Sequence, residues 1–186
     1  DGAFVLDDEN FEAQCANPQC KLVFWCNPQN PSGRMWTEEE LARAAQIVEK
    51  YNLWIISDEI HCDLIRCGKK HIPMAKVMKD YPKLITCMAP SKTFNLAGLA
   101  FSNIIIRDPG LRARFKDRDK LFGMVNPMSL TAAKAAYDKG GSWLEGGNAL
   151  FVGNAAGYIR LNLAMPRSVI RTGLERIRDA VRAYRG

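Results

Sequence analysis

Although this 186-residue chain has six cysteines, no two of them form a C-x-x-C pair. Cys15 and Cys20 are five positions apart, as are Cys62 and Cys67. That spacing is too wide for the common zinc knuckle. The run His61-Cys62, even with Cys67 and His71 beside it, fits no standard ligand set, so no metal centre is expected. Cys26 and Cys87 lie in apolar runs, where a thiol behaves as a small hydrophobe. No apolar run approaches the ~18–20 residues that span a bilayer, and none reads as a signal peptide. The expected setting is a reducing cytoplasm, away from membranes. Internal repeats and low-complexity tracts are absent too.

The net charge of +6 and pI near 9.1 invite a nucleic-acid reading. Its pattern argues otherwise. Arg167, Arg171, Arg176, Arg178, Arg182 and Arg185 alternate with Val169, Ile170, Leu174, Ile177 and Val181. This is the signature of an amphipathic helix with a solvated basic face. Only one aromatic residue, Tyr184, is interleaved with those arginines, which argues against a platform for stacking single-stranded bases.

What the chain does have is apolar mass, 47% of its residues, enough for a sizeable core. Short apolar runs at 21–26 (KLVFWC), 53–57 (LWIIS), 84–88 (LITCM) and 102–106 (SNIII) read as strands, with a late one at 158–163 (YIRLNL). Helical patterns separate them. Thr37 caps a helix running to Lys50, with acids in its first turn and Leu41, Ala44, Ala45 and Val48 on one stripe. Asp108-Pro109 opens another helix, Ser129 or Thr131 begins a third through Tyr137, and Pro166 precedes a last one. Continuous apolar strands between helices predict an α/β fold, a three-layer α/β/α arrangement with a mostly parallel sheet covered on both faces. Ligands of such sheets sit beyond the carboxyl ends of the strands.

Three chemically useful residues fall there. Lys92 lies in Ala89-Pro90-Ser91-Lys92-Thr93-Phe94-Asn95-Leu96-Ala97-Gly98, with little charge nearby, so partial burial is expected. Burial would lower its pKa and sharpen it as a nucleophile toward a carbonyl. Asp58 ends an apolar strand in Ser57-Asp58-Glu59-Ile60-His61; by itself it reads first as a helix cap or a surface acid. Asn30 sits in Asn27-Pro28-Gln29-Asn30-Pro31-Ser32-Gly33-Arg34, a strong turn sequence. Arg160 is a charge inside an apolar run, suited to a bidentate carboxylate contact or to a structural ion pair. An amine and a carboxylate at neighbouring strand ends suit pyridoxal 5'-phosphate (PLP), whose aldehyde takes a lysine and whose pyridine nitrogen takes an acid.

Together the Asn27–Arg34, Ser57–Cys62 and Pro90–Gly98 segments resemble the fold-type I PLP enzymes of the aminotransferase class I/II family. More narrowly, they resemble its cystathionine β-lyase branch, named for MalY and PatB. His61 carries the narrower likeness, since aminotransferases proper usually have Tyr there. The resemblance implies that Lys92 links to the cofactor, Asp58 pairs with the pyridine nitrogen and Asn30 with the ring oxygen. It places His61 near that oxygen, Ser91 beside the lysine and Arg160 on the substrate's α-carboxylate. A phosphate-binding hydroxyl often found three positions before the lysine is replaced here by Ala89. The implied reaction is β-elimination on cystathionine- or cysteine-type amino acids, giving a thiol, pyruvate and ammonia. An aminotransferase on the same scaffold and a non-catalytic homologue are the alternatives. The likeness further implies a homodimer, and a parent protein longer than this chain. The N-terminal block and most of the small domain have no counterpart here, so a discontinuous join is expected at Leu150-Phe151. Residues 1–150 would be an incomplete cofactor-binding large domain and 151–186 a remnant of an α+β small domain.

Overall fold

Three of the apolar runs become parallel strands in the computed structural model, which describes residues 5–65, 69–119, 125–145 and 167–185. They are β1 (Leu22–Cys26), β2 (Trp54–Asp58) and β3 (Leu84–Met88). A fourth strand, β4 (Asn103–Ile106), runs antiparallel to β3, so the sheet is mixed, in the order β1-β2-β3-β4. The reversal has a local cause. A parallel return needs a long crossover, usually a full helix. Between β3 and β4 there is only the single turn α4 (Pro90–Thr93) and a 3-10 turn (Ala97–Leu99).

The chain divides into two units, Asp1–Ala149 and Leu150–Gly186. In the first, α1 (Asp8–Ala16) and α2 (Glu38–Lys50) precede β1 and β2 respectively, and α3 (Met74–Val77) lies before β3. After β4 come α5 (Pro109–Asp119), α6 (Pro127–Lys139) and α7 (Gly141–Glu145). The described part of the second unit is α8 (Arg167–Arg185), the helix expected from its arginine and apolar alternation.

Thr37 caps α2 as its sequence predicts. Its Oγ1 accepts from the Glu40 N–H at 3.2 Å, while Glu40 Oε2 accepts from the Thr37 N–H at 2.8 Å. The α2 stripe of Leu41, Ala44, Ala45 and Val48 is buried against Val23, Trp25, Ile55, Met74 and Met78. Trp25 is the hub, its ring 5.7 Å from Phe11 and 5.0 Å from Trp36 between centroids. Truncating a fully enclosed residue such as Leu41 or Ile55 to Ala would cost about 2–5 kcal/mol.

Two features depart from the sequence reading. Helix α6 starts at Pro127, earlier than Ser129 or Thr131, because Asn126 caps it through Met128 N–H (2.9 Å) and Pro is tolerated in a first turn. Helix α1 had no apolar period to announce it; it is set instead by Asp7, whose Oδ1 accepts from Asn10 N–H at 3.0 Å. The sheet has one face packed under α2 and α3, while the other presents Leu22, Phe24 and Ile104 as exposed side chains. The predicted strand at 158–163 and the Leu150-Phe151 join lie outside the described residues.

Candidate active site

Because β1, β2 and β3 are parallel, their carboxyl ends share one edge, and three loops leave it together. Backbone bonds tie these loops before any side chain is considered. Asn27 N–H donates to the Asp58 carbonyl at 2.9 Å, and Glu59 N–H donates to the Cys87 carbonyl at 2.8 Å. Register places Asp58 between Cys26 and Cys87.

The first loop carries Asn30. Its path is set by Cys26, whose thiol donates to the Pro28 carbonyl (3.2 Å) and accepts from Asn30 N–H (3.4 Å). Gln29 and Arg34 then close the turn by backbone hydrogen bonding, with Gly33 at φ 70°, a conformation that favours glycine. Asn27 is buried and holds the loop from below, its Nδ2 donating to the Ile72 carbonyl at 2.8 Å. Asn30 itself is exposed, and its side-chain amide has no partner among the described residues.

The second loop follows Asp58. Side chains alternate along a strand, so Asp58 and Glu59 leave it on opposite sides. Asp58 is exposed and its Oδ1 accepts from Ile60 N–H at 3.2 Å. Glu59 is 1% exposed and is enclosed by donors: Ser57 Oγ at 2.9 Å, Met74 N–H at 3.0 Å and His71 Nε2 at 2.7 Å. One carboxylate thus faces the shared edge while its neighbour anchors the loop. His61 follows, half-buried, with its Nδ1 buried and without a partner among the described residues. Burial lowers its pKa, Asp58 pulls it back up, and Lys92 adds to the lowering. The ring therefore lies within the fields of both the Asp58 carboxylate and the Lys92 amine.

The third loop holds Lys92 in α4. Pro90 and Thr93, three apart and on one face of this single turn, are fully buried. That orientation turns Lys92 outward, and the expected burial of Lys92 is not what the structure gives: the residue is exposed. It makes no hydrogen bond or ion pair among the described residues. Ser91 beside it is half-buried, and its carbonyl accepts from Leu96 N–H at 3.0 Å. Asn95 turns the chain away at φ 55°, which Asn bears better than most side chains. Arg160 lies outside the described residues. No group of three His, Cys, Asp or Glu among the described residues could hold a metal.

Sequence reasoning passed over four residues that shape this edge: Glu59, Asp63, His71 and Thr93. Thr93 Oγ1 donates to Asp63 Oδ2 at 3.0 Å. Glu59 and Thr93 lie inside runs chosen for other residues, Asp63 directly follows one, and His71 was weighed only as a metal ligand. A pairing signal was present only in that all four are too polar to be buried or half-buried without partners.

Amine, carboxylate, amide and imidazole are thus set on three loops at one sheet edge, an arrangement able to seat a small polar ring. Comparison with known proteins gives the lineage. The aminotransferase class I and II family model matches residues 4–145. Cystathionine beta-lyase PatB of Bacillus subtilis is 39% identical over 182 residues, covering 96% of this chain and 45% of its own length. Protein MalY of Escherichia coli is 38% identical over 151 residues, covering 78% of this chain and 37% of its own. The PLP-bound C-S lyase from Staphylococcus hominis superposes with a TM-score of 0.75 at 46% identity, over 79% of this chain and 37% of that one. Cystalysin from Treponema denticola, which contains PLP, gives 0.75 at 40% identity over 78% and 38%. The chain spans less than half the length of each of these relatives. The fold is that of the PLP fold-type I enzymes, of which this chain holds a part. The chain belongs to the aminotransferase class I and II family.

Proposed function

We propose that the protein is a PLP-dependent carbon–sulfur lyase, acting on amino acids with a sulfur leaving group at Cβ, such as cystathionine or cysteine. The observation that carries this is that Asp58, His61 and Lys92 stand on loops leaving the carboxyl ends of three parallel strands, with His61 Nδ1 buried and unbonded among the described residues. The residues suit that cofactor. His61 Nδ1 is an orphaned buried nitrogen, and the Lys92 amine is not engaged by any acid among the described residues. Ala89 offers no hydroxyl to a phosphate; of the two hydroxyls flanking the lysine, that of Thr93 is bonded to Asp63, which leaves that of Ser91.

Bound PLP supplies an electron sink for the charge that develops at the substrate Cα. Lys92 would hold the cofactor at rest and would take the substrate's Cα proton as general base. Asp58 would keep a proton at the pyridine nitrogen, and Asn30 would donate its amide to the ring oxygen, with His61 beside it. Arg160 would bind the substrate carboxylate. The overall reaction would be β-elimination, releasing the thiol and, with water taken up, pyruvate and ammonia. The family likeness supports a cytoplasmic homodimer, with residues 1–150 as part of the cofactor domain and 151–186 as part of a smaller one.

The test is replacement of Lys92 by Ala in the intact protein. The expected result is loss of the visible absorption that develops on adding PLP, together with loss of pyruvate release from cystathionine. Persistence of both would overturn the assignment. Pyruvate and ammonia formed by the wild type without an added keto acid separate elimination from amino-group transfer.

A further inference from the structure

The bond between Asp63 and Thr93 spans the two segments on which the proposed chemistry depends. Thr93 follows Lys92 directly, in the same helical turn, and Asp63 closes the turn that follows Asp58 and carries His61. Thr93 is 0% exposed, and its Oγ1 donates to Asp63 Oδ2 at 3.0 Å. From the other side, Phe94 is held by Tyr137 edge-on (centroids 5.5 Å apart) and by Trp143 (6.2 Å).

A four-residue helix cannot hold its own orientation; isolated helices this short are unstable in water. The backbone bonds of α4 reach only Pro90–Phe94 and Ser91–Leu96. The direction in which Lys92 projects is therefore fixed by what its neighbours grip. The Pro90 ring packs inward and offers no directional side-chain bond, and Phe94 is gripped by rings, which tolerate rotation. The hydrogen bond from Thr93 to a carboxylate is the directional contact, and hydrogen bonds to charged groups are the stronger kind.

We propose that Asp63 and Thr93 are positioning residues that set Lys92 against Asp58 and His61, so that the amine meets the cofactor aldehyde at the correct edge of the ring. This rests on the assignment of Lys92 under the proposed function. Neither residue touches the reacting atoms; each acts through the turn it holds.

The experiment uses the intact holoenzyme and four variants: Thr93→Val, Thr93→Ser, Asp63→Ala and the Thr93→Val/Asp63→Ala double. Readouts are the PLP dissociation constant, the pH midpoint of the visible band and the melting temperature. Thr93→Val should weaken PLP binding about tenfold or more, the range expected for loss of a hydrogen bond to a charged group, and should shift the pH midpoint. Thr93→Ser restores the hydroxyl and should recover both values. Asp63→Ala should repeat the Thr93→Val effect, and the double variant should be no worse than either single one, because one bond is removed in each case. Should Thr93→Val not fold, Asp63→Ala and Thr93→Ser still decide the matter. Variants that lose melting temperature but keep wild-type PLP affinity and pH midpoint would overturn the proposal, reducing the pair to fold support. The outcome for Lys92→Ala separates the two levels: if its visible band persists, the Lys92 assignment fails. If the band is lost while Thr93→Val and Asp63→Ala behave as wild type, only the positioning role fails.

Discussion

Glu59 and His71 meet at 2.7 Å beneath the strand edge that carries Asp58. Glu59 also takes Ser57 Oγ and Met74 N–H, so one carboxylate fixes the end of β2, the start of α3 and the His71 segment. The adjacent Asp58 inherits its position from that anchor. The Asp-Glu pair thus divides its work: the first acid is presented and the second is enclosed.

Replacing Glu59 by Ala should leave the Ser57 hydroxyl and the Met74 N–H without their acceptor in a buried setting. Unsatisfied buried groups cost about 1–3 kcal/mol each, so a loss of about 3–5 kcal/mol is expected, as for breaking a buried pair. Glu59→Gln keeps the shape and one acceptor oxygen and should cost less. Urea unfolding midpoints of the two variants check this. An Ala variant that unfolds at the wild-type midpoint would show that the anchor is not needed.

The buried thiols should be inert. Burial, reinforced by Asp63, pushes Cys62 up to about 12, and burial with Cys20 and Glu12 nearby pushes Cys15 up to about 11. The thiolate is the nucleophile. At pH 8 alkylation of both in the native protein should therefore be slower than in urea by about a hundredfold or more. Peptide mapping after a timed iodoacetamide pulse reads this directly. Labelling of Cys62 at the same rate in native and denatured protein would contradict its placement.

Much of this molecule can be read from its sequence, and the reasons are local. The β-branched and aromatic content of LVFWC, WIISD and LITCM dictates strands, and Thr37 with Glu40 spells out a capping box. Asn30, Asp58 and Lys92 could be placed because parallel strands deliver their loops to one edge. The exposure of Lys92 could not, because it depends on which face of a single turn is gripped, a tertiary fact decided by Pro90 and Thr93. Glu59 with His71, and Asp63 with Thr93, were invisible for the same reason: their partners are 12 and 30 positions away. The reversal of β4 was hidden by its apolar run, which reads alike in either direction.

The His61 ring should make stability fall with acid. Its pKa is lowered from 6.5, chiefly by burial and further by Lys92, against an opposing pull from Asp58. The unfolded chain therefore binds a proton more readily than the folded one, and stability rises with pH across that interval. As pH falls through 6.5 toward the depressed native value, the unfolded state gains protonation that the folded state resists, and stability drops; above that window there is no penalty. His61→Asn should flatten this part of the profile. Urea midpoints from pH 8 to pH 5.5 for both proteins give the comparison, and parallel profiles would remove His61 as a source of the slope.

Gly140 shows how a residue without a side chain can hold the Lys92 segment in place. A Cβ there would run into the Ala136 carbonyl oxygen and lie 2.5 Å from Phe94 Cε1. Its φ of −84° is open to any residue, so the constraint is one of space alone. Phe94 could swing away, but its ring is flanked by Tyr137 and Trp143, and the Ala136 oxygen belongs to the helix backbone and already accepts the Gly140 N–H at 2.7 Å. Both obstacles resist, so Gly140→Ala should overpack the site at a cost of about 1–3 kcal/mol. The strain should pass to Phe94 and thence to α4, two residues from Lys92. Melting temperature measures the first effect. The second is measured by PLP affinity, which should fall in Gly140→Ala and be partly restored when Phe94→Leu is added, since a smaller side chain removes one of the two clashes. An Ala variant with unchanged melting temperature would mean that α6 and α4 do not approach as closely as described.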